Sequence, residues 1–195
     1  MGRYTLADDI ARMAAHVAVP DAHTYNMLEV MGTGQYLFTP FATAVTHSAV
    51  AAALLIGTPF PFVITKNVDR VGVNITVAAG AGNKLRVGIY EDNGLCYPGA
   101  LVPGSEGELA ADDVALVAVI VALTLARGLY WVAYLSQSNP AVSTPNQGIA
   151  ITGSAAVPAV GSFNYLIAQA YGALPDPFPA GAVPTWWGPT MLRFA

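Results

Sequence analysis

Charge is scarce in this chain. Asp, Glu, Lys and Arg make up only 10% of it, against about 25% in an average soluble domain. Lysine is confined to Lys66 and Lys84, and the eight basic residues are scattered through a chain of formal charge −4. The clustered basic footprint that neutralises a phosphate backbone is missing, which argues against a nucleic-acid partner. Cysteine is represented by Cys96 alone, so no intrachain disulfide can form. Its neighbours in EDNGLCYPG are acidic rather than basic, which leaves an ordinary, passive thiol. One cysteine and three histidines at these spacings do not assemble a four-ligand zinc site, and no metal or other cofactor is expected. The longest apolar run, VALVAVIVALTLA at 114–126, falls well short of the ~20 residues a helix needs to cross a bilayer. No membrane insertion is expected. The opening MGRYTLADDIARMAAH carries acids and no apolar core, unlike a secretory leader. Leu6 breaks the myristoylation pattern that Gly2 would open.

What is abundant is apolar side chain, at 54% of 195 residues. That length suits one substantial domain with a small appendage. So much apolar matter and so little charge predict a surface partly covered by other subunits. Residues 1–33 read as an N-terminal anchoring or oligomerisation arm. Within it, TLADDIARMAA predicts a short helix over 5–15, with Thr5 as cap, Asp8 and Asp9 in the first turn, and Leu6, Ile10 and Met13 on one face. Such a helix is too short to stand alone and must lay that face on something else.

Residues 34–195 have a different texture. Short segments rich in Val, Ile, Tyr, Phe and Thr are punctuated by Gly, Pro, Asn and Asp: QYLFTPFATAV, FPFVITKNV, DRVGVNITVAAG, KLRVGIYED, ALVPGSE, ALVAVIVALTLA, LYWVAYLSQ, QGIAITG and NYLIAQAY. This predicts an all-β fold, an antiparallel β-sandwich of jelly-roll-like kind. Val71, Val73, Ile75 and Val77 alternate with Gly72, Asn74 and Thr76, and Leu85, Val87 and Ile89 alternate with Lys84, Arg86 and Gly88. The turn-like AAGAGNK between them predicts a hairpin. In LYWVAYL both alternating rows are apolar, as expected of a strand covered on both faces. The proline-rich YGALPDPFPAGAVPTWWGPTMLRFA predicts an irregular, extended segment ending in a short strand, MLRF.

None of the common nucleophile, zinc-protease or nucleotide-binding motifs occurs. GAGNK at 80–84 lacks the ending of a phosphate loop and reads as a turn. The pairs Asp8/Asp9, Glu91/Asp92 and Asp112/Asp113 are sequence neighbours; on a strand such pairs face opposite ways and make poor acid–base dyads. The oxygens of YEDNGLCYPG could hold one weak calcium ion, but Asp, Asn and Gly there also serve a turn for backbone reasons. Trp186 and Trp187, set among prolines, could stack on a sugar or plug an interface. No catalytic residue is assigned, and the chain is not expected to be an enzyme.

Two stretches carry a resemblance. HVAVPDAHTYNML resembles a short motif of bacteriophage fibre proteins: His16, Asp21, His23 and Leu28 match in order, Tyr25 stands one place early, and Pro20 precedes the aspartate. FPFVITKNVDRVGVNITVAAGAGNKLRVGIYEDNGLCYPGALV, then GLYWVAYLSQ, then YGALPDPFPA and MLRF, resemble a β-sandwich domain recurrent in phage tail and fibre proteins. The resemblance implies a structural virion protein: a homotrimeric fibre or minor tail component contributing to host attachment, bound to itself and to other virion proteins. A capsid decoration protein or head fibre is the alternative. In a trimer, His16 and His23 would approach the threefold axis, more in keeping with hydrogen bonds to a neighbouring chain than with a shared metal. A third reading is a carbohydrate-binding module that meets a host surface glycan through Trp186, Trp187, Tyr97 and Trp131.

Overall fold

A computed structural model describes residues 36–37, 42–49, 51–62, 65–147, 164–185 and 190–194. The arm at 1–33, with its predicted helix, lies outside them. Among the described residues the fold is all-β. Its strands are β1 (Tyr36–Leu37), β2 (Ala42–Ala49), β3 (Leu54–Phe62), β4 (Lys66–Val77), β5 (Lys84–Asp92), β6 (Pro98–Leu101), β7 (Gly107–Ala110), β8 (Leu116–Leu125), β9 (Gly128–Ser136), β10 (Ala141–Gln147), β11 (Asn164–Ala168), β12 (Val183–Thr185) and β13 (Thr190–Phe194).

These strands form two antiparallel sheets packed as a sandwich. The first runs β1-β13-β4-β10-β2, with β8 on the other side of β4; the second runs β12-β11-β3-β9-β5-β6, with β7 also on β5. The alternation read from the sequence sets the inner faces. Val71, Val73 and Ile75 of β4 meet Leu85, Val87 and Ile89 of β5 in one core with Ile56, Phe60, Val132 and Tyr134. Val77, the last of the β4 row, is 58% exposed at the strand end.

The expected β4–β5 hairpin does not form. β4 belongs to the first sheet and β5 to the second, so the 78–83 loop carries the chain from one layer to the other. Alternation tells which face of a strand is buried, and both arrangements bury the same rows. The Ala126–Arg127 connection likewise joins β8 of one sheet to β9 of the other. β10 occupies AVSTPNQ, paired with β2 and β4, and the expected strand at QGIAITG lies, beyond Gln147, outside the described residues.

The second sheet is covered twice. Its inner face meets the first sheet, while Leu55, Tyr90, Trp131, Ala133 and Leu135 on its outer face form a separate cluster with Tyr165, Leu174 and Phe178. β9 therefore has two apolar rows because it has two apolar neighbours: Val132 and Tyr134 point inward, Trp131, Ala133 and Leu135 outward. The outer cover is the irregular segment 169–182, here termed the strap.

Glycines let the strap lie close. A Cβ on Gly88 would sit 2.6 Å from Leu174 Cδ1, and one on Gly57 3.2 Å from Pro98 Cγ and 3.5 Å from Phe178 Cε2. Prolines fit β3 for a related reason. β11 pairs only with Leu54 to Gly57, so Pro59 and Pro61 lie where that edge of β3 needs no N–H, while β9 runs along the other edge.

Two substitutions test the strap packing. Gly88→Val should destabilise the fold by ~1–3 kcal/mol through overpacking. Leu174→Ala should cost ~2–5 kcal/mol through the cavity it leaves. Because the smaller side chain at 174 makes room for the larger one at 88, the double variant should lose less than the sum. Urea unfolding midpoints of the three variants measure this.

Candidate interaction surface

The residues that carry the longer resemblance converge on the strap. The Tyr90 hydroxyl donates to the Pro175 carbonyl at 2.7 Å, and the Tyr97 hydroxyl donates to the Pro179 carbonyl at 2.5 Å. Tyr97 Oη also accepts the Ala182 N–H at 3.1 Å. Asp176 Oδ1 accepts the Leu101 N–H at 2.9 Å, and the Phe178 N–H donates to the Gly99 carbonyl at 2.9 Å. Tyr90 and Phe178 meet edge to face, their centroids 5.2 Å apart. Burial pushes the Tyr90 phenol above its ordinary pKa, and the carboxylates of Glu106 and Asp176 push the same way. This phenol stays protonated and acts as a fixed donor.

A polar cluster ties down the start of the strap. Glu106 Oε1 accepts from Arg86 at 2.7 Å and from the Leu174 N–H at 2.8 Å. Glu108 receives Lys84 at 2.6 Å, Arg86 at 3.2 Å and the Tyr171 hydroxyl at 3.1 Å. The Lys84 hydrogen bond holds the Glu108 carboxyl below the usual range, with Tyr171 and Arg86 adding to it. Burial, with donation to Glu108, pushes Tyr171 up to about 12.

The loop oxygens considered for calcium are already engaged. Asp92 Oδ2 accepts the Trp131 indole N–H at 2.9 Å, and Oδ1 accepts the Gly94 N–H at 2.7 Å. Asn93 Oδ1 accepts the Leu95 N–H at 2.8 Å. The segment is a turn whose first carboxylate anchors a core tryptophan. GAGNK is also a turn: Gly80 and Gly82 have φ of 94° and 77°, and Asn83 Nδ2 donates to the Ala79 carbonyl at 2.9 Å. Cys96 is half-buried with φ of 55°, and Asp112 and Asp113 are exposed in the β7–β8 connection.

The glycan reading loses one of its four rings. Trp131 is fully buried beneath the strap, its indole edge spent on Asp92, and is not available to stack on a sugar. Tyr97 is half-buried, with its ring against Tyr165 and its hydroxyl on the strap. Trp186 and Trp187 lie outside the described residues. So do all the arm positions singled out above: Leu6, Ile10, Met13, His16, Pro20, Asp21, His23, Tyr25 and Leu28.

A surface that sequence reading missed lies on the first sheet. β8 reads LVAVIVALTL, ten residues without a charge, and Val117, Val119, Val121, Leu123 and Leu125 turn toward the core. The other row turns outward, leaving Ile120 73% and Leu116 45% exposed. Val114 and Val77 extend this patch and line a shallow depression with Asn74 and Thr76. Among the described strands only β4 pairs with β8, so the other long edge of β8 meets no described strand. Edge strands usually protect themselves with charge, proline, a bulge or short length. β8 has one register irregularity against β4, between the Val68–Leu123 and Arg70–Ile120 pairs, but carries neither charge nor proline along ten residues, so its edge is weakly protected. The available signal was the unbroken apolar run, which on a strand means apolar rows on both faces.

The polar cluster at the strap makes a pH prediction. The folded pKa of Glu108 is depressed, so its contribution to stability is present above the unfolded glutamate pKa. It is lost as pH falls through the lower folded value. Glu108→Gln should therefore have a slightly lower Tm than the parent at neutral pH, and the difference should shrink to nothing in strong acid. Thermal unfolding across a pH series measures it; a partly exposed cluster makes a small difference the expectation.

Comparison with known proteins returns no matching family model, no matching curated protein and no matching solved structure.

Proposed function

We propose that this chain is a non-enzymatic structural subunit of a bacteriophage particle, a trimeric fibre or minor tail component that contributes to host attachment. The observation that carries the assembly part is the uncharged, apolar edge and outer row of β8. The phage part rests on the sequence resemblance. Its support is that the resembling residues, from Arg86 to Gly99, Trp131 and Tyr171 to Pro179, interlock in one place, as a fold-defining pattern requires.

Magnitudes favour several shared interfaces over one isolated contact. Burying Ile120, Leu116, Val114 and Val77 is worth at most ~1.5–3 kcal/mol each. Association costs ~4–15 kcal/mol in lost freedom. One such patch is marginal; a closed ring that repeats it at every interface is not. In a ring of three, contacts are heterologous, so β8 sits against a different surface of the next protomer rather than against its own twin. The fold would then act as a rigid block whose apolar flank is the adhesive.

The test is native mass together with a charge placed on the patch. The wild type should sediment as a trimer. Ile120→Lys combined with Leu116→Lys should yield monomers whose unfolding midpoint stays within ~0.5 kcal/mol of the parent protomer, since both sites are exposed. A wild type that stays monomeric at high concentration, or a variant that still trimerises, contradicts the role of β8. Immunogold labelling of purified particles separates tail from capsid, and absence of label from both removes the virion reading.

A further inference from the structure

The most unusual chemistry outside the strap is a pair of orphaned polar side chains between the two sheets. Asn164 on β11 and Thr58 on β3 are both fully buried. Among the described residues, Asn164 Oδ1, Asn164 Nδ2 and Thr58 Oγ1 have no hydrogen-bond partner. The β3–β11 ladder pairs Tyr165 with Gly57 and Leu166 with Ile56, so its next step sets Asn164 opposite Thr58. Both side chains point the same way. Thr58 shares its face of β3 with Ile56 and Phe60 of the inner core, and Asn164 shares its face of β11 with Leu166, which packs on that core. Tyr165 and Gly57, the adjacent pair, face the strap side.

Directly opposed residues on one face have Cβ atoms about 4.5–5.5 Å apart. An amide and a hydroxyl at that separation can share a small polar bridging molecule. Buried polar groups in native proteins are almost always paired, with protein or with ordered water. A buried water needs two to four polar partners, and this pair offers a hydroxyl, an amide oxygen and an amide N–H. We propose that Asn164 and Thr58 form an internal water-binding site, in which an ordered water bridges the Asn164 amide and the Thr58 hydroxyl within the sandwich. The site is a built part of the core: the water completes the β3–β11 face where apolar residues would otherwise be expected.

Water-selective NMR on the intact protein reads this without any substitution. The Asn164 side-chain amide protons should show nuclear Overhauser contacts to a long-lived water, and a high-resolution crystal structure should place a density peak within hydrogen-bond distance of Asn164 and Thr58. Removing both partners should be milder than removing one. Asn164→Leu alone should lower the folded-to-unfolded ratio by about tenfold, while Asn164→Leu with Thr58→Val should return it to within about threefold of the parent and abolish the water contact. The proposal is overturned if the Asn164 amide shows no water contact, or if it bonds directly to Thr58 or to another side chain of the chain. If the variants do not fold, the wild-type NMR measurement still decides.

Discussion

The second sheet has to be dry on both sides, and much else follows from that. Its central strands carry Trp131, Tyr90, Leu55 and Leu135 on the face away from the first sheet. Left open, that face would present several large side chains to water. A short irregular segment covers it, and an irregular segment brings unpaired backbone with it. The tyrosine hydroxyls, the Asp176 and Glu106 carboxylates and the Gly99 carbonyl meet that need one group at a time. Apolar burial supplies the attraction, and the polar contacts fix the register of a strap that has no ladder of its own.

This gives the repeated small motifs a physical reading. Gly88 and Gly57 are small so that Leu174, Pro98 and Phe178 can approach. Asp92 serves both a turn and an indole. Arg86 pairs with the Glu106 and Glu108 carboxylates beside the strap. Residues of the kinds that also build binding sites are here engaged in holding the protein to itself.

The sequence made the class of fold legible, together with the faces of β4 and β5 and the two-sided burial of β9. Those features are local: they depend on which residues alternate, and the alternation is visible in runs of six or seven positions. Neighbour choice was not legible, because a strand with one apolar row satisfies it equally well in either sheet; hence the mistaken β4–β5 hairpin. β10 was hidden by its composition. AVSTPNQ has weak β propensity and a proline, and it becomes a strand through its pairing with β2 and β4. The hydrogen bonds that hold the strap span 63 to 85 positions in sequence, so no local pattern could reveal them. The apolar run of β8 was legible as a strand, but which of its two apolar rows stays exposed depends on packing against the other sheet. The arm residues and the Trp186–Trp187 pair lie outside the described residues, and the structure leaves those readings where the sequence put them.

Chain order gives the strap a role in biosynthesis. β3, β5, β6, β7, β9 and β11 all precede it, so the ribosome delivers the sheet before its cover. At ~5–20 residues per second, Trp131 and Tyr90 wait seconds for Leu174 and Phe178 to emerge. During that interval the aromatic face of the sheet lacks its own cover, which a proline-rich stretch that forms no strand then supplies.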